Sequence, residues 1–211
     1  MSTVLYDYWR SSASYRVRIA LHLADEPFER VTVDLLESDH RGPDHLARNP
    51  QGLVPVLDID GHRFTQSLAI LDYLNDTRAL GLLPDDPTQR AKVRALAHSI
   101  AVDIHPVCNL SVVRHATSSA EDKPAATQAW MQHFIHPGLR AFDALLDEFT
   151  QTPYCCGDTP SLADLCLMPQ LYNARRWGVD LSQFARLQAI EAACAAQPTF
   201  AAAHPDQARP D

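Results

Sequence analysis

The run Leu83-Pro84-Asp85-Asp86-Pro87 constrains this chain more than any other stretch. Two prolines around two aspartates stop any helix or strand that reaches them, and the hydrophobic pattern differs on the two sides. Before the run, short β-rich segments alternate with helical ones; after it, from Gln89 to Phe200, the pattern is helical almost throughout. A chain of 211 residues can form one large domain or two modest ones, and the break selects two, over residues 1–83 and 88–211. With 46% hydrophobic and 21% charged residues, both halves can bury ordinary globular cores. The formal charge of -8 argues against nucleic acid or an anionic membrane as partner, so an anionic substrate would need local cations. The start, MSTVLYDYWRSS, lacks the basic and apolar regions of a signal peptide, and no apolar run approaches the roughly 18 residues of a membrane helix. A cytoplasmic protein is expected. Its five cysteines, odd in number and without a CxxC spacing, are expected to be reduced and idle.

In the first half, residues 3–8 read as a buried strand. Ser11 to Leu23 reads as a helix with serine hydroxyls at its start, and Phe28 to Asp34 as a second strand. Asp39 to Arg48 is polar and helical at best. Residues 54–59 form a strand that turns at Asp60-Gly61 and pairs back through His62 to Thr65, and a helix begins at Ser67. The order β-α-β-α-β-β-α predicts a thioredoxin-like α/β domain. In the second half, Ala91 to Arg114 reads as a long helix interrupted near Pro106, and Thr127 to Phe149 as another with a bend at Pro137. Leu162 to Trp177 is apolar nearly all round, which predicts a helix in the middle of a bundle, and Ser161-x-x-Asp164 before it has the form of a capping box. The Pro-, Asp- and Gln-containing tail from Ala203 is expected to fray.

Three short pieces of the first half can carry chemistry. In Trp9-Arg10-Ser11-Ser12-Ala13-Ser14, hydroxyls and backbone N–H groups lie at the positive end of a helix dipole beside an arginine. That setting lowers the pKa of a bound thiol, although plain helix capping would use the same residues. In Gly52-Leu53-Val54-Pro55-Val56, a proline at the start of a central strand implies an unpaired strand end or a cis bond; a cis bond would turn the Val54 backbone outward toward a peptide-like ligand. Gln66-Ser67 opens a helix, where the Ser67 N–H and hydroxyl can hold a carboxylate. Together they form three anchors for an extended acidic peptide bearing a thiol.

These pieces, in this order and spacing, resemble the N-terminal domain of glutathione transferases. Arg10-Ser11-Ser12-x-Ser14-x-Arg16-Val17-Arg18-Ile19-Ala20-Leu21 resembles the signature of the zeta class, as do Asn49-Pro50 with Val54-Pro55 and Gln66-Ser67-Leu68-Ala69-Ile70. In the second half, Asn109-Leu110-Ser111-Val112, Gly157-Asp158, Leu162-Ala163-Asp164-Leu165 and Val179-Asp180-Leu181 agree, so the resemblance runs from Leu5 to about Phe200. The zeta class is similar to maleylacetoacetate isomerases of tyrosine and phenylalanine breakdown and to the related maleylpyruvate isomerases. The resemblance implies the glutathione transferase fold, a homodimer, and glutathione as a cofactor that is not consumed. The implied activity is cis–trans isomerisation of a cis-enedione acid, most closely maleylacetoacetate to fumarylacetoacetate.

Carried over position by position, Ser11 would hold the thiolate with Ser12 and Ser14 beside it. Val54, next to Pro55, would pair with the cysteinyl backbone. Gln66 and Ser67 would hold the γ-glutamyl end, and His40 would lie near the glycine end. His105, Asn109, Leu110 and Ser111 would contribute from the second domain. Arg10 and Arg176 are the expected clamps for substrate carboxylates, since a guanidinium fork matches a carboxylate; Arg175 points about 100° away around its helix. Arg16 and Arg18 are expected to serve structure or ion pairing, and the histidines show no metal-ligand spacing. The chain departs from the class at Ala13, where the class usually has cysteine. The alternatives are a maleylpyruvate isomerase, which the Asp103-Ile104-His105-Pro106 run and the Arg175-Arg176 pair resemble, a conjugating or dehalogenating transferase, and a non-catalytic module of the same fold.

Overall fold

Leu5 and Leu57 face each other, both fully buried, at the centre of the only sheet among the described residues. In the computed structural model, which describes residues 2–210, strands β1 (Thr3–Asp7), β2 (Phe28–Thr32), β3 (Val56–Ile59) and β4 (His62–Thr65) lie in the order β2-β1-β3-β4. β1 runs parallel to β2 and antiparallel to β3, which pairs antiparallel with β4. The parallel pair needs a crossover, which helix α1 (Ser12–Leu23) supplies. Helices α2 (Pro43–Arg48) and α3 (Ser67–Arg78) complete the expected series. β3 is shorter than the 54–59 read from sequence and starts after Pro55, which has no N–H to give to a ladder.

The end of the chain differs from expectation. Instead of fraying, it forms α10 (Pro198–Ala203) and α11 (Pro205–Ala208), and Phe200, Ala203 and Ala208 are buried. Among the described residues, 196–210 group with 2–81 as one unit, and 82–195 form the second. The reason is a buried arginine. Arg18 Nη1 donates to both carboxylate oxygens of Asp7 at 2.8 Å, Nη2 to the Trp9 carbonyl at 2.9 Å, and Nε to the Ala203 carbonyl at 3.0 Å. α10 packs on α1 beside it.

In the second unit the break itself becomes a helix start: Asp86 accepts from the Gln89 N–H at 2.8 Å, and Pro87 is the first residue of α4 (Pro87–His98). The long helix expected over 91–114 is divided. A π-helical segment, Ser99–Ile104, leads into the single turn α5 (His105–Val107), and α6 (Leu110–Ala116) starts afresh. Pro106 has no N–H and its ring crowds the carbonyl one turn back, a conflict that the wider π turns relieve. α7 (Lys123–Leu145) continues through Pro137 and passes the π segment at Gly138, where a Cβ would sit 2.4 Å from Ile104 Cδ1. α8 (Leu162–Arg176) is buried continuously from Leu162 to Leu171, as its all-round apolar pattern predicts, and packs against α4, α7 and α9 (Ala185–Ala195). No single helix among the described residues is long and apolar enough to cross a membrane.

Candidate functional site

The start of α1 is built around Ser11. Its backbone is extended (φ -66°, ψ 120°), its N–H donates to the Tyr8 carbonyl at 2.8 Å, and its Oγ accepts from the Ser14 N–H at 3.2 Å. That bond uses a lone pair and not the hydroxyl proton, and no acceptor among the described residues takes that proton. Ser12 is 9% exposed. Ser14 is fully buried, so what it brings to the cluster is its N–H on Ser11 rather than an accessible hydroxyl. The first turn of α1 contains no acidic residue to neutralise the helix dipole. Arg10 sits beside the cap, with Nη2 donating to the Tyr8 hydroxyl at 3.0 Å and its guanidinium 4.6 Å from the Trp9 ring centre. The outgoing tail adds Arg209, 5.3 Å from the same ring.

A tied loop prepares the second anchor. The Asn49 side chain donates to the Leu53 carbonyl at 2.9 Å and accepts from the Gln51 N–H at 3.1 Å, and His45 Nε2 lies 3.0 Å from the same carbonyl. Gly52 has φ +61°, and a Cβ there would meet the His40 carbonyl at 2.9 Å, so the loop folds directly against the 3-10 turn Asp39–Arg41 that carries His40. The following Val54–Pro55 bond is cis, as the proline position predicts.

The third anchor follows β4. Gln66 is held at φ 66°, ψ 111°, a conformation that costs on the order of 1–3 kcal/mol for a residue with a side chain. Its amide Nε2 donates to Gln51 Oε1 at 2.8 Å, joining this turn to the tied loop. The bend starts α3 at Ser67, 7% exposed, and again the first turn holds no acid. From α1, Arg16 reaches across and its Nη1 donates to Ser67 Oγ at 3.1 Å. The starts of α1 and α3, the tied loop and His40 are thus linked within one unit. Such an arrangement offers hydrogen-bond donors and two helix N-termini to an anionic, extended ligand.

In the second unit, Asn109 caps α6: its Oδ1 accepts from the Ser111 N–H at 3.1 Å and the Ser111 hydroxyl at 3.0 Å. His105 opens α5, and Leu110 is 36% exposed. Arg176 ends α8, exposed, with its guanidinium 4.7 Å from the Trp177 ring centre, and Arg175 Nε donates to Glu191 Oε1 at 2.9 Å. Four of the five thiols have their pKa raised by burial. Burial pushes Cys108 up to about 11 and Cys156 to about 12, and burial followed by the Asp164 charge raises Cys155 and Cys194 as well.

Residues 1–76 match the family model described as glutathione S-transferase, N-terminal domain, and residues 124–205 match the C-terminal domain. A maleylacetoacetate isomerase of Rhizobium meliloti is 60% identical over 209 residues, spanning 99% of this chain and 98% of that protein. A solved holo structure of a maleylpyruvate isomerase, described as a bacterial glutathione S-transferase in zeta class, superposes with a TM-score of 0.94 at 40% identity, covering 99% of each chain. The chain belongs to the zeta class of glutathione S-transferases. A maleylacetoacetate isomerase of Methylobacterium extorquens, solved with bound malonate and glutathione, is 38% identical with a TM-score of 0.91 over 98% of each chain.

Within this zeta-class fold the Ala13 departure has a plain consequence. Ala13 is buried beside the cap, and with Cys108, Cys155, Cys156 and Cys194 all raised by burial, none of these thiols ionises readily at neutral pH. Sequence reasoning did not connect Arg16 with Ser67 or Gln51 with Gln66. For Arg16 a signal existed: it lies four residues after Ser12, on the same face of α1 as the serine cluster.

Proposed function

We propose that this zeta-class chain is a glutathione-dependent cis–trans isomerase of a cis-enedione acid, with maleylacetoacetate, converted to fumarylacetoacetate, as its main substrate. The observation that carries the reading is the start of α1, where Ser11 accepts from Ser14 and keeps its own proton for a ligand. Whole-length identity of 60% to a maleylacetoacetate isomerase supports the choice of substrate.

Bound glutathione supplies a sulfur nucleophile that adds to the alkene and leaves again, so that the carbon–carbon bond can rotate in between. The Ser11 hydroxyl, the Ser12 N–H and the α1 dipole hold that sulfur as a thiolate. Val54 pairs with the cysteinyl backbone, Gln66 and Ser67 hold the γ-glutamyl carboxylate, and His40 faces the glycine end. From the second unit the reading takes His105, Asn109, Leu110 and Ser111 as further cofactor contacts. Arg10 and Arg176 fix the substrate carboxylates while the middle of the molecule turns. Arg175, engaged by Glu191, is not needed for that role. A homodimer and residence in the reducing cytoplasm accompany the same reading.

The maleylpyruvate reading is kept as a second one because the maleylpyruvate isomerase structure superposes so closely, at a TM-score of 0.94. The test is turnover of maleylacetoacetate and of maleylpyruvate, each with and without glutathione, with glutathione measured before and after. The expected result is glutathione-dependent isomerisation, higher kcat/KM for maleylacetoacetate, and full recovery of glutathione. Consumption of glutathione with every electrophile tried would make the chain a conjugating transferase instead.

A further inference from the structure

We infer that Arg16 is a positioning residue that sets the polarity of the carboxylate subsite at the start of α3. The inference rests on the reading that Gln66 and Ser67 hold the γ-glutamyl carboxylate of glutathione. Arg16 is 2% exposed and Ser67 7%, and Arg16 Nη1 lies 3.1 Å from Ser67 Oγ. A guanidinium has donors and no acceptor, so in this contact the serine oxygen must accept. Ser67 has one proton, and no acceptor among the described residues takes it. The hydroxyl is therefore committed as a donor toward whatever sits at the first turn of α3. The backbone N–H groups of that turn are donors too, without intrahelical partners. The Ser67 hydroxyl and these N–H groups all present donors, with the buried Arg16 guanidinium behind them, which suits an acceptor-only anion such as a carboxylate. That arrangement disfavours an amide, whose NH2 would face other donors.

The placement on α1 adds register. The helix whose start carries Ser11 and Ser12 carries Arg16 one turn later, so one rigid element positions both the sulfur end and the carboxylate end of the ligand. The serine cluster and the Gln-Ser turn are thereby joined through a residue that touches neither the sulfur nor the substrate.

The test is binding, measured by calorimetry, of three ligands: glutathione, its analogue lacking the γ-glutamyl α-carboxylate, and its analogue carrying an α-carboxamide there. In the wild-type protein both analogues should bind at least about tenfold more weakly than glutathione, the loss expected for one charge-assisted hydrogen bond, and the carboxamide should be the weaker of the two. Arg16→Met should weaken glutathione about tenfold while leaving the decarboxylated analogue within about twofold, and Ser67→Ala should do the same. Arg16→Gln carries the same comparison if the methionine variant does not fold. If Arg16→Met weakens glutathione and the decarboxylated analogue alike, Arg16 merely supports the fold and the inference is wrong. If the wild-type protein accepts the carboxamide as well as the carboxylate, the donor polarity is wrong. If Ser67→Ala removes the preference for glutathione and the Arg16 variants keep it, the inference fails while the carboxylate assignment stands. If neither the wild-type protein nor Ser67→Ala distinguishes glutathione from the decarboxylated analogue, the assignment fails and the inference with it.

Discussion

Among the described residues two α-helices have a serine at the N-cap, one in each unit, and they use it in opposite ways. At α8, Ser161 gives both its N–H (2.8 Å) and its hydroxyl proton (2.7 Å) to Asp164, which also accepts from the Cys155 N–H at 2.9 Å. Asp164 is fully buried; burial raises its pKa, with the bonds from Ser161 and Cys155 working against the rise. The Ser161 N–H and hydroxyl and the Cys155 N–H all end on Asp164, so the Ser161 cap keeps no side-chain proton for a ligand. At α1, Ser11 accepts one N–H, no acid follows in the first turn, and no acceptor among the described residues takes the hydroxyl proton. The sequence feature that separates a structural cap from a chemical one is thus the acid three residues on. Asp164 closes one; Ser14, at the corresponding place, leaves the other open.

This contrast can be broken by mutation. Asp164→Ala should have the largest effect: it strands the Ser161 N–H, the Ser161 hydroxyl and the Cys155 N–H in the interior, at roughly 3 kcal/mol of unfolding free energy or more. Denaturant melts measure it, and a loss below about 1 kcal/mol would mean the α8 cap is replaceable by water. Arg176→Lys keeps the charge and loses the fork. It should raise KM for maleylacetoacetate about tenfold, some 1.4 kcal/mol, while conjugation of a neutral electrophile barely changes. Parallel loss of both activities would assign Arg176 to the fold or the cofactor. Ala13→Cys restores the residue usual in the class and should change kcat/KM by no more than about twofold, because the hydroxyl donors and the dipole act without it. A gain of about tenfold would show that the protein thiol takes part.

Much of this was legible from residues close together in the sequence. The break at residues 83–87, the all-round apolar run of α8 with its Ser161 and Asp164, and the cis bond before Pro55 are local signals read on one element at a time. What escaped was non-local or geometric. The tail looked frayed because its anchor, Arg18 to the Ala203 carbonyl, spans a separation of 185 residues. The π segment before His105 follows from reconciling Pro106 with a helix that Ile104 packs onto Gly138, a constraint set by another helix. Arg16 and Arg18 carried the same expectation, structure or ion pairing, yet Arg18 is engaged by Asp7, Trp9 and Ala203 and Arg16 donates to Ser67.

The measurement closest to the central claim is the ionisation of glutathione bound to wild-type protein and to Ser11→Ala, followed by thiolate ultraviolet absorbance across pH. Loss of the cap itself should lower stability by about 1 kcal/mol, so the variant remains folded for the titration. Loss of one charge-assisted hydrogen bond to the thiolate is worth about 1.5–3 kcal/mol, and the pKa of the bound thiol should rise by roughly one to two units. An unchanged pKa in Ser11→Ala would contradict the account, because the open cap of α1 would then have no part in holding the thiolate.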